Sequence, residues 1–565
     1  MWKGGSPMTS LQPEQSRRKS PATLLIVILM AAALCYLVVS AVSAGFLRVI
    51  SVVPDDASYF LEVAQNIAAG EGSSFDGIHR TNGLQPLWTY ALAGLFMVVK
   101  GTPEFLLRVV LVIQALLLTL AGVVVLRVQS KFYEARVGVV ACLLFILLVQ
   151  IPGTTGMESA FVVLSLSVLL GLGAGWRVFD EHRPRREFVF GLALGAAMLS
   201  RLDAVFLGAA ICAACLPGIR AGSRARRIAL VRLAMIALGA SVIVAPYLAH
   251  NLLVFGHPVP ISGVLKSSFP HAEFTPHVLA HLGPLKAGAA VAAVAAAVVY
   301  LVWFARLRRA GRRSGSTDGE TLYHSALAVM AASILVHFPY SLLFMKWTEA
   351  WYFTSYGLFL TLAVGPLVAW FLSPGSSLVR RWAYRVGVTA LFLCGLLAVA
   401  DRATRPLDAC WHVVSYQAAV WARENTDETD VFSMANAGHF GFFSERRVVN
   451  LDGLVGTFDF QNVLQEQRLN AFLSDRDVDY LVEHTFSDRE DNDVLVAGGY
   501  GAITLPFRSL RYEVWADEVP VREEDEIFRS SPYYERGRST VLIIWRLRHH
   551  GDVHGASPPP GVFSR

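Results

Sequence analysis

Eleven apolar runs of roughly membrane-crossing length constrain the fold of this 565-residue chain more than any other feature. A helix needs about 20 apolar residues to cross ~30 Å of hydrocarbon, and shorter runs are typical of tilted or paired helices inside a bundle. Only 16% of the residues are charged, against about 25% in soluble proteins. We therefore predict an α-helical polytopic membrane bundle. The runs lie near 22–47, 105–127, 137–151, 159–175, 187–200, 202–217, 228–250, 285–305, 324–344, 353–372 and 386–400.

The basic residues orient these spans. Of the 32 Lys and Arg residues in the first 400 positions, 24 fall in the N-terminal tail and in alternate loops, the pattern of cytoplasmic segments in a plasma membrane. The N-terminus is then cytoplasmic, and everything after residue 400 is external. The basic residues Arg17, Arg18 and Lys19 before the first run are typical of a signal peptide, but 22–47 is about twice the usual length of a signal core, so we expect a retained anchor. If Leu84–Val99 also crossed the membrane, the basic loops would no longer all fall on the cytoplasmic side. We therefore interpret it as a juxtamembrane or re-entrant helix.

Charge and pattern divide the chain into four parts. We predict a cytoplasmic tail (1–21), a membrane module (22–400) with an outer loop at 48–104, an external α/β domain (401–550) and a disordered tail (551–565). The first 400 residues carry a net charge of +15 and the rest −10, so no basic soluble face is present for nucleic acid. In the external domain we expect helices at 415–423 and 463–472 and strands at 431–434, 448–451, 478–482 and 541–545.

An acidic pair, Asp55 and Asp56, follows Pro54 directly after the first run and opens an amphipathic helix. Acids at a helix start are common caps. Two adjacent ones at a membrane surface repel each other, which raises one pKa toward the range of a general base. In the next loop, His79, Asn82 and Trp88 suit contact with a polyhydroxyl ligand, although Trp88 also suits the interfacial aromatic belt.

Several motifs, all on the predicted outer side, resemble the GT-C glycosyltransferases. They are similar to bacterial enzymes of the protein O-mannosyltransferase, aminoarabinose-transferase and mycobacterial arabinofuranosyltransferase groups. The motifs are Pro54-Asp55-Asp56-Ala57-x-Tyr59-Phe60, Thr81-Asn82-Gly83-x-x-Pro86-Leu87-Trp88, Gly156-Met157-Glu158-Ser159, Ser200-Arg201-Leu202-Asp203, Asn251-x-x-x-Phe255-Gly256 with Lys266 following, and Gly441-Phe442-Phe443-Ser444 with Asn450-Leu451-Asp452 following.

The resemblance implies transfer of a sugar from a polyprenyl-phosphate donor in the bilayer to a glycan, lipid or protein acceptor. Asp55 or Asp56 would be the base, and the resemblance leaves open which. Fixed cations would hold the donor phosphate, and further polar side chains would hold the sugar or acceptor. The expected phosphate ligands are Arg201, Lys266, Lys346 and His250, and the expected sugar or acceptor ligands are His79, Asn82, Trp88, Glu158, Asp203 and Glu349.

Three of these assignments have alternatives. Arg201 could simply pair with Asp203 to fix two short helices. Glu158 and Glu349 could bind a divalent cation instead of hydroxyls, and no ligand spacing decides whether a metal is used. A transporter or flippase of lipid-linked sugars is the alternative function. Transporters place ionisable residues at mid-bilayer, whereas the acids here lie at span ends, which favours surface chemistry.

Overall fold

The computed structural model describes residues 21–179, 181–220, 222–275, 279, 282–314, 319–373, 376–404, 406–407, 410–486, 519, 521, 523–535 and 538–547. The predicted N-terminal tail, up to residue 20, and the predicted disordered tail lie outside the described residues.

Nine helices within the described ranges are long and apolar enough to cross a membrane. Two shorter ones, Ser159–Gly175 and Pro184–Ser200, coincide with the remaining two predicted runs, so each of the eleven runs forms a helix. The helical bundle predicted from the sequence is therefore confirmed. The nine are Pro21–Ser43, Pro103–Gln129, Ala135–Gly153, Leu202–Arg220, Ser223–Phe255, Lys286–Arg309, Tyr323–Phe344, Ala350–Leu372 and Leu378–Thr404.

Small residues allow the two most closely packed helices to approach each other. Pro184–Ser200 lies against Ser223–Phe255, and a Cβ on Gly239 would come within 2.2 Å of the Phe188 carbonyl oxygen. A Cβ on Gly191 would come within 2.3 Å of the Ile236 carbonyl oxygen. Because only glycine fits at both positions, the helix backbones can meet directly, as is common between membrane helices.

Four further helices lie at the predicted outer side of the bundle: Phe46–Ile50, Asp55–Ala69, Pro86–Val98 and Ile261–Leu265. Pro86–Val98 has 13 residues, a length of about 20 Å that is too short to cross the hydrocarbon. Together with the first turns of Asp55–Ala69, this helix forms the support for the acidic pair.

The C-terminal part folds into a small α/β unit. Its helices are Trp411–Asn425, Gly438–Ser444, Phe458–Gln465 and Leu469–Ser474, with a 3-10 turn at Glu523–Asp525. Its strands are β1 (Val431–Met434), β2 (Arg447–Asn450), β3 (Tyr480–Phe486), β4 (Glu526–Arg529), β5 (Tyr533–Glu535) and β6 (Arg538–Arg546).

The sheet of this unit is mixed. Its order is β2-β1-β3-β6-β4, with β5 also paired to β6. β1 is parallel to β2 and β3, and β6 is antiparallel to β3, β4 and β5. All four predicted strands are present, but the helix predicted at 463–472 is wrong. It breaks into two short helices at Gln467, whose φ of 54° is incompatible with a continuous helix.

One hydrophobic core joins the external unit to the membrane module. Val53, Ala57 and Phe60 from the first outer segment are buried in the same cluster as Phe440 and Phe443 of the external unit. The short helix Gly438–Ser444 is therefore packed directly against the start of Asp55–Ala69, where the acidic pair lies.

Candidate active site at the outer rim

Asp55 and Asp56 are neighbours in sequence with different surroundings. Asp55 is only 4% exposed. Its Oδ2 accepts the backbone N–H of Gly438 at 2.9 Å, and its Oδ1 accepts that of His439 at 2.6 Å. Both carboxylate oxygens are thus used in capping a helix of the external unit. Burial raises the pKa of Asp55 well above its ordinary value, although the two N–H donors favour the ionised form.

His439 and Gly438 complete this attachment. The imidazole Nε2 lies 3.1 Å from the Val53 carbonyl oxygen, so it carries the proton, and Nδ1 accepts from the Ser58 hydroxyl at 2.8 Å. Burial lowers the pKa of His439 to about 3, which keeps the ring neutral. A Cβ at position 438 would lie 2.2 Å from the Asp55 carbonyl oxygen, so glycine is required there.

Tyr59 makes a second polar attachment one helical turn from Asp55. Its hydroxyl donates to Asp452 Oδ2 at 2.5 Å and accepts from Asn450 Nδ2 at 3.2 Å and the Ala437 N–H at 3.0 Å. We call Asp55, Ser58, Tyr59, His439 and Asp452 the domain seam. Its hydrogen bonds fix the external unit relative to the first outer helix.

Asp56 faces a different group of residues. It is 28% exposed, and its Oδ2 lies 3.2 Å from the Nζ of Lys266. Lys266 also shares a hydrogen bond with Tyr352. Burial alone would lower the pKa of Lys266, but the attraction of Asp56 outweighs it, and the pKa is raised. Asp56 is therefore a partly open carboxylate held by one buried cation.

Arg201 continues this group beyond Tyr352. Its guanidinium carbon lies 4.2 Å from the centre of the Tyr352 ring. Its Nε is 2.8 Å from Asp203 Oδ2, and its Nη1 is 3.2 Å from Glu158 Oε1. Nη1 also donates to the Trp351 carbonyl oxygen at 2.7 Å. The pairing with Asp203 that the sequence suggested is thus present, together with a second carboxylate.

Glu158 is the most enclosed acid of this group, at 2% exposed. Burial raises its pKa against the opposing attraction of Arg201. Its Oε2 has no hydrogen-bond partner among the described residues. We call Asp56, Lys266, Tyr352, Arg201, Glu158 and Asp203 the rim cluster, and apart from the pair Arg201–Asp203 its contacts join residues distant in sequence.

A groove begins at the rim cluster and runs into the bundle. It encloses about 520 Å³, partly open to solvent. Arg201, Asp203, His337 and Tyr352 form its polar end. Most of its other lining residues are apolar, and three of these residues also line a further cavity of about 360 Å³. The shared residues are Leu166, Leu207 and Met330. The groove therefore combines a charged end with a largely apolar lining.

Two further predicted residues lie beside the rim cluster. The backbone N–H of Lys346 donates to the Lys266 carbonyl oxygen at 3.0 Å. Glu349 accepts from Trp347 Nε1 at 2.6 Å, and burial raises its pKa. Its carboxyl also interacts electrostatically with Asp56 and Lys266.

The remaining predicted ligands lie elsewhere. Trp88 is 1% exposed, and its Nε1 donates to the Gly156 carbonyl oxygen at 3.0 Å, so its ring is part of the core and has no open face for a sugar or the lipid interface. Asn82 accepts the Ile261 N–H at 3.0 Å and, with His250, lines a separate groove. His79 belongs to a cleft against the external unit.

The sequence interpretation missed Tyr352, Tyr59, Asn450, Asp452 and His439. Only a weak signal existed for Tyr352, within an aromatic run that any interfacial segment could contain. In the part of the chain that is described, no group of three or more His, Cys, Asp or Glu side chains is arranged to hold a metal ion.

Comparison with known proteins gives one partial family match and several similar solved structures. Residues 408–534 match a domain of unknown function, DUF8728. No curated protein matches the chain. The similar structures include ArnT from Cupriavidus metallidurans bound to undecaprenyl phosphate, at 13% identity and a TM-score of 0.48, covering 93% of this chain and 98% of that one.

The other two structures give similar values. ArnT in the apo state is 14% identical, with a TM-score of 0.45 and coverage of 93% and 98%. The Archaeoglobus fulgidus oligosaccharyltransferase tethered to an acceptor peptide is 15% identical, with a TM-score of 0.47 and coverage of 81% of this chain and 69% of that one. Both proteins are GT-C glycosyltransferases, the class that the sequence motifs resemble. Because all three TM-scores are below 0.5, a functional proposal has to rest on the rim cluster and its groove.

Proposed function

We propose that this protein is a membrane glycosyltransferase that moves a sugar from a polyprenyl-phosphate donor to an acceptor on the outer face of a bacterial plasma membrane. The observation that supports this most directly is Asp56, a partly open carboxylate paired with Lys266, because Lys266 shares a hydrogen bond with Tyr352, which lines the polar end of the groove beside Arg201. The groove suits the lipid chain, and the cations at its mouth suit the phosphate.

Asp56 is our choice as the general base. Asp55 is only 4% exposed and each of its oxygens already accepts a backbone N–H group, so a substrate hydroxyl cannot easily approach it. Asp56 is paired through one oxygen with Lys266 and has exposed surface. A base must come within hydrogen-bond reach of the proton that it removes, and of the two acids only Asp56 meets this requirement.

The donor phosphate would change the pairing of Lys266. When the phosphate contacts Lys266 and Arg201, the ammonium charge is shared with it, and Asp56 is released to accept the proton of the acceptor hydroxyl. The hydroxyl oxygen then attacks the anomeric carbon, and the bond from that carbon to the phosphate oxygen breaks with its electron pair. The same two cations stabilise the negative charge that grows on the leaving phosphate. Asp56 finally loses its proton to solvent.

The test is transfer by the full-length chain reconstituted in liposomes with radiolabelled undecaprenyl-phosphate sugars and a crude cell-envelope acceptor fraction. Asp56→Asn should lower transfer by ~10²–10⁴-fold, the usual contribution of a general base. Asp459→Asn, an exposed acid of the external unit, is the matched control and should transfer as wild type does.

The same liposomes distinguish a transporter. A flippase would move the labelled lipid between leaflets in wild type without transferring its sugar. Lipid movement without sugar transfer, or full transfer by Asp56→Asn, would overturn the proposal.

A further inference from the structure

A cleft that is partly open to solvent lies between the first outer loop and the external unit. The outer loop contributes Phe75, Asp76 and His79. The external unit contributes Val449, Asn450, Val455, Gly456, Thr457, Phe460, Phe472 and Arg476. No step of the proposed reaction uses these residues.

The polar groups of the cleft are built into it. Asp76 Oδ2 lies 2.6 Å from His79 Nδ1, and Asp76 Oδ1 accepts the backbone N–H of His79 at 2.7 Å. These contacts fix the imidazole, which is 35% exposed, through Nδ1 and leave Nε2 for a ligand. The guanidinium of Arg476 lies over the Phe472 ring at 3.6 Å, a position that holds its donors in place.

Asn450 supplies an unsatisfied acceptor. It is 6% exposed, its Nδ2 donates to Tyr59, and its Oδ1 has no partner among the described residues. A buried carbonyl oxygen without a hydrogen bond costs about 1–3 kcal/mol, so a ligand hydroxyl bound there would be favoured. This is an independent indication that the cleft binds a hydrogen-bond donor.

The remaining lining selects the class of ligand. Phe75, Phe460 and Phe472 close the back of the cleft with rings that are at most 7% exposed. The charges of Asp76 and Arg476 cancel, so a phosphate or another strong anion would gain little. Fixed donors and acceptors that together carry no net charge suit the rim of hydroxyls of a sugar ring.

We propose that this cleft binds a sugar residue of the acceptor, which is therefore a glycan. The cleft lies close to Asp56, because Asn450 of the cleft donates to Tyr59, which is three residues from Asp56 on the same helix. The bound residue is thus a neighbour of the sugar that reacts, not the reacting sugar itself. The acceptor role rests on the proposed function, whereas sugar binding does not.

The test is saturation-transfer NMR on the full-length chain in nanodiscs, with the methyl glycosides of mannose, galactose, arabinofuranose and N-acetylglucosamine as probes. At least one probe should bind wild type. Arg476→Met should weaken that binding at least fivefold, and His79→Leu should also weaken it. Arg468→Met is the matched control, because Arg468 is an exposed arginine of the same unit that pairs with Glu466 at the surface.

The outcomes separate the cleft from the chemistry. Binding of no probe, or equal binding by Arg468→Met, Arg476→Met and His79→Leu, overturns the proposal. Asp56→Asn should bind the glycoside as wild type does while transfer is lost. A third outcome is that the glycoside binds wild type, that Arg476→Met weakens this binding, and that wild type transfers sugar from no donor. In that case the sugar site is supported and the proposed function is wrong. Should Arg476→Met not fold, as judged by thermal unfolding, His79→Leu decides the result.

Discussion

The domain seam and the rim cluster begin at adjacent residues and differ in how their polar groups are satisfied. In the seam, Asp55 uses both oxygens on backbone N–H groups, and His439 uses both ring nitrogens. In the rim cluster, Asp56 has one contact and exposed surface, and Glu158 retains an oxygen without a partner in the described part of the chain. Fully satisfied networks stabilise a structure, whereas groups with spare capacity can bind something else. The difference supports our proposal that Asp55 serves the attachment and Asp56 the chemistry.

Among the substitutions that test this difference, we expect the largest loss of activity at Lys266. Lys266→Met removes the cation that holds Asp56 and, in our proposal, the donor phosphate. We expect kcat/KM for the donor to fall by ~10²-fold, about 2.7 kcal/mol of transition-state stabilisation. Initial rates against donor concentration measure this loss. Lys100→Met, at an exposed outer-side lysine, is the control, and equal rates in the two variants would remove Lys266 from the site.

Asp55→Asn tests the seam. An amide keeps the shape of the side chain, but it loses the charge and presents an N–H group toward one of the two backbone donors. Hydrogen bonds to charged groups contribute about 1.5–3 kcal/mol, so amide exchange at Gly438 and His439 should accelerate by roughly 10–100-fold. Hydrogen-exchange mass spectrometry measures these exchange rates. Sugar transfer by Asp55→Asn should persist. Unchanged exchange with abolished transfer would move the base role to Asp55.

The pH dependence of the seam should differ from that of the rim cluster, because the sheet behind the seam contains Glu483. Burial raises the pKa of Glu483 to about 8 from 4.5. The folded state therefore holds a proton that the unfolded state has lost, and the free energy of unfolding falls as pH rises from 4.5 to 8. We expect a loss on the order of 5 kcal/mol for the external unit. Glu483→Gln should flatten the melting-temperature profile, whereas the exposed Glu424→Gln should not; parallel profiles for wild type and Glu483→Gln would contradict this.

The smallest expected effect concerns Trp88. Trp88→Phe keeps an aromatic ring in the core but leaves the Gly156 carbonyl oxygen without its donor. The cost should be ~1 kcal/mol in the free energy of unfolding. Donor and acceptor KM values should not change, because the ring has no open face. An increased acceptor KM at wild-type stability would restore the sugar-stacking interpretation made from the sequence.

Much of the fold follows from the sequence because membrane helices are encoded locally. Each apolar run forms a helix. The alternation of cytoplasmic and outer loops predicts that Asp56, Glu158, Asp203 and Glu349 lie on the same side of the membrane. The structure brings these four acids together around Lys266 and Arg201. The sequence could not divide the roles of Asp55 and Asp56. That division depends on Gly438 and His439, more than 380 positions away, which no local pattern links to the pair. The predicted role of Trp88 is wrong for a related reason. The sequence near a membrane interface does not show whether an aromatic side chain is exposed or buried.

The long separation between Asp55 and its capping amides also affects how the protein is made. The Asp55 carboxylate leaves the ribosome 383 residues ahead of the Gly438 N–H that it will accept. At ~5–20 residues per second, this interval lasts on the order of 20–80 seconds. During this interval the helix Asp55–Ala69 is already at the membrane surface, and the Asp55 carboxylate, which is buried in the folded protein, is still in contact with water. The attachment therefore forms late in synthesis, and a chain truncated before residue 438 leaves the Asp55 carboxylate without its two amide donors.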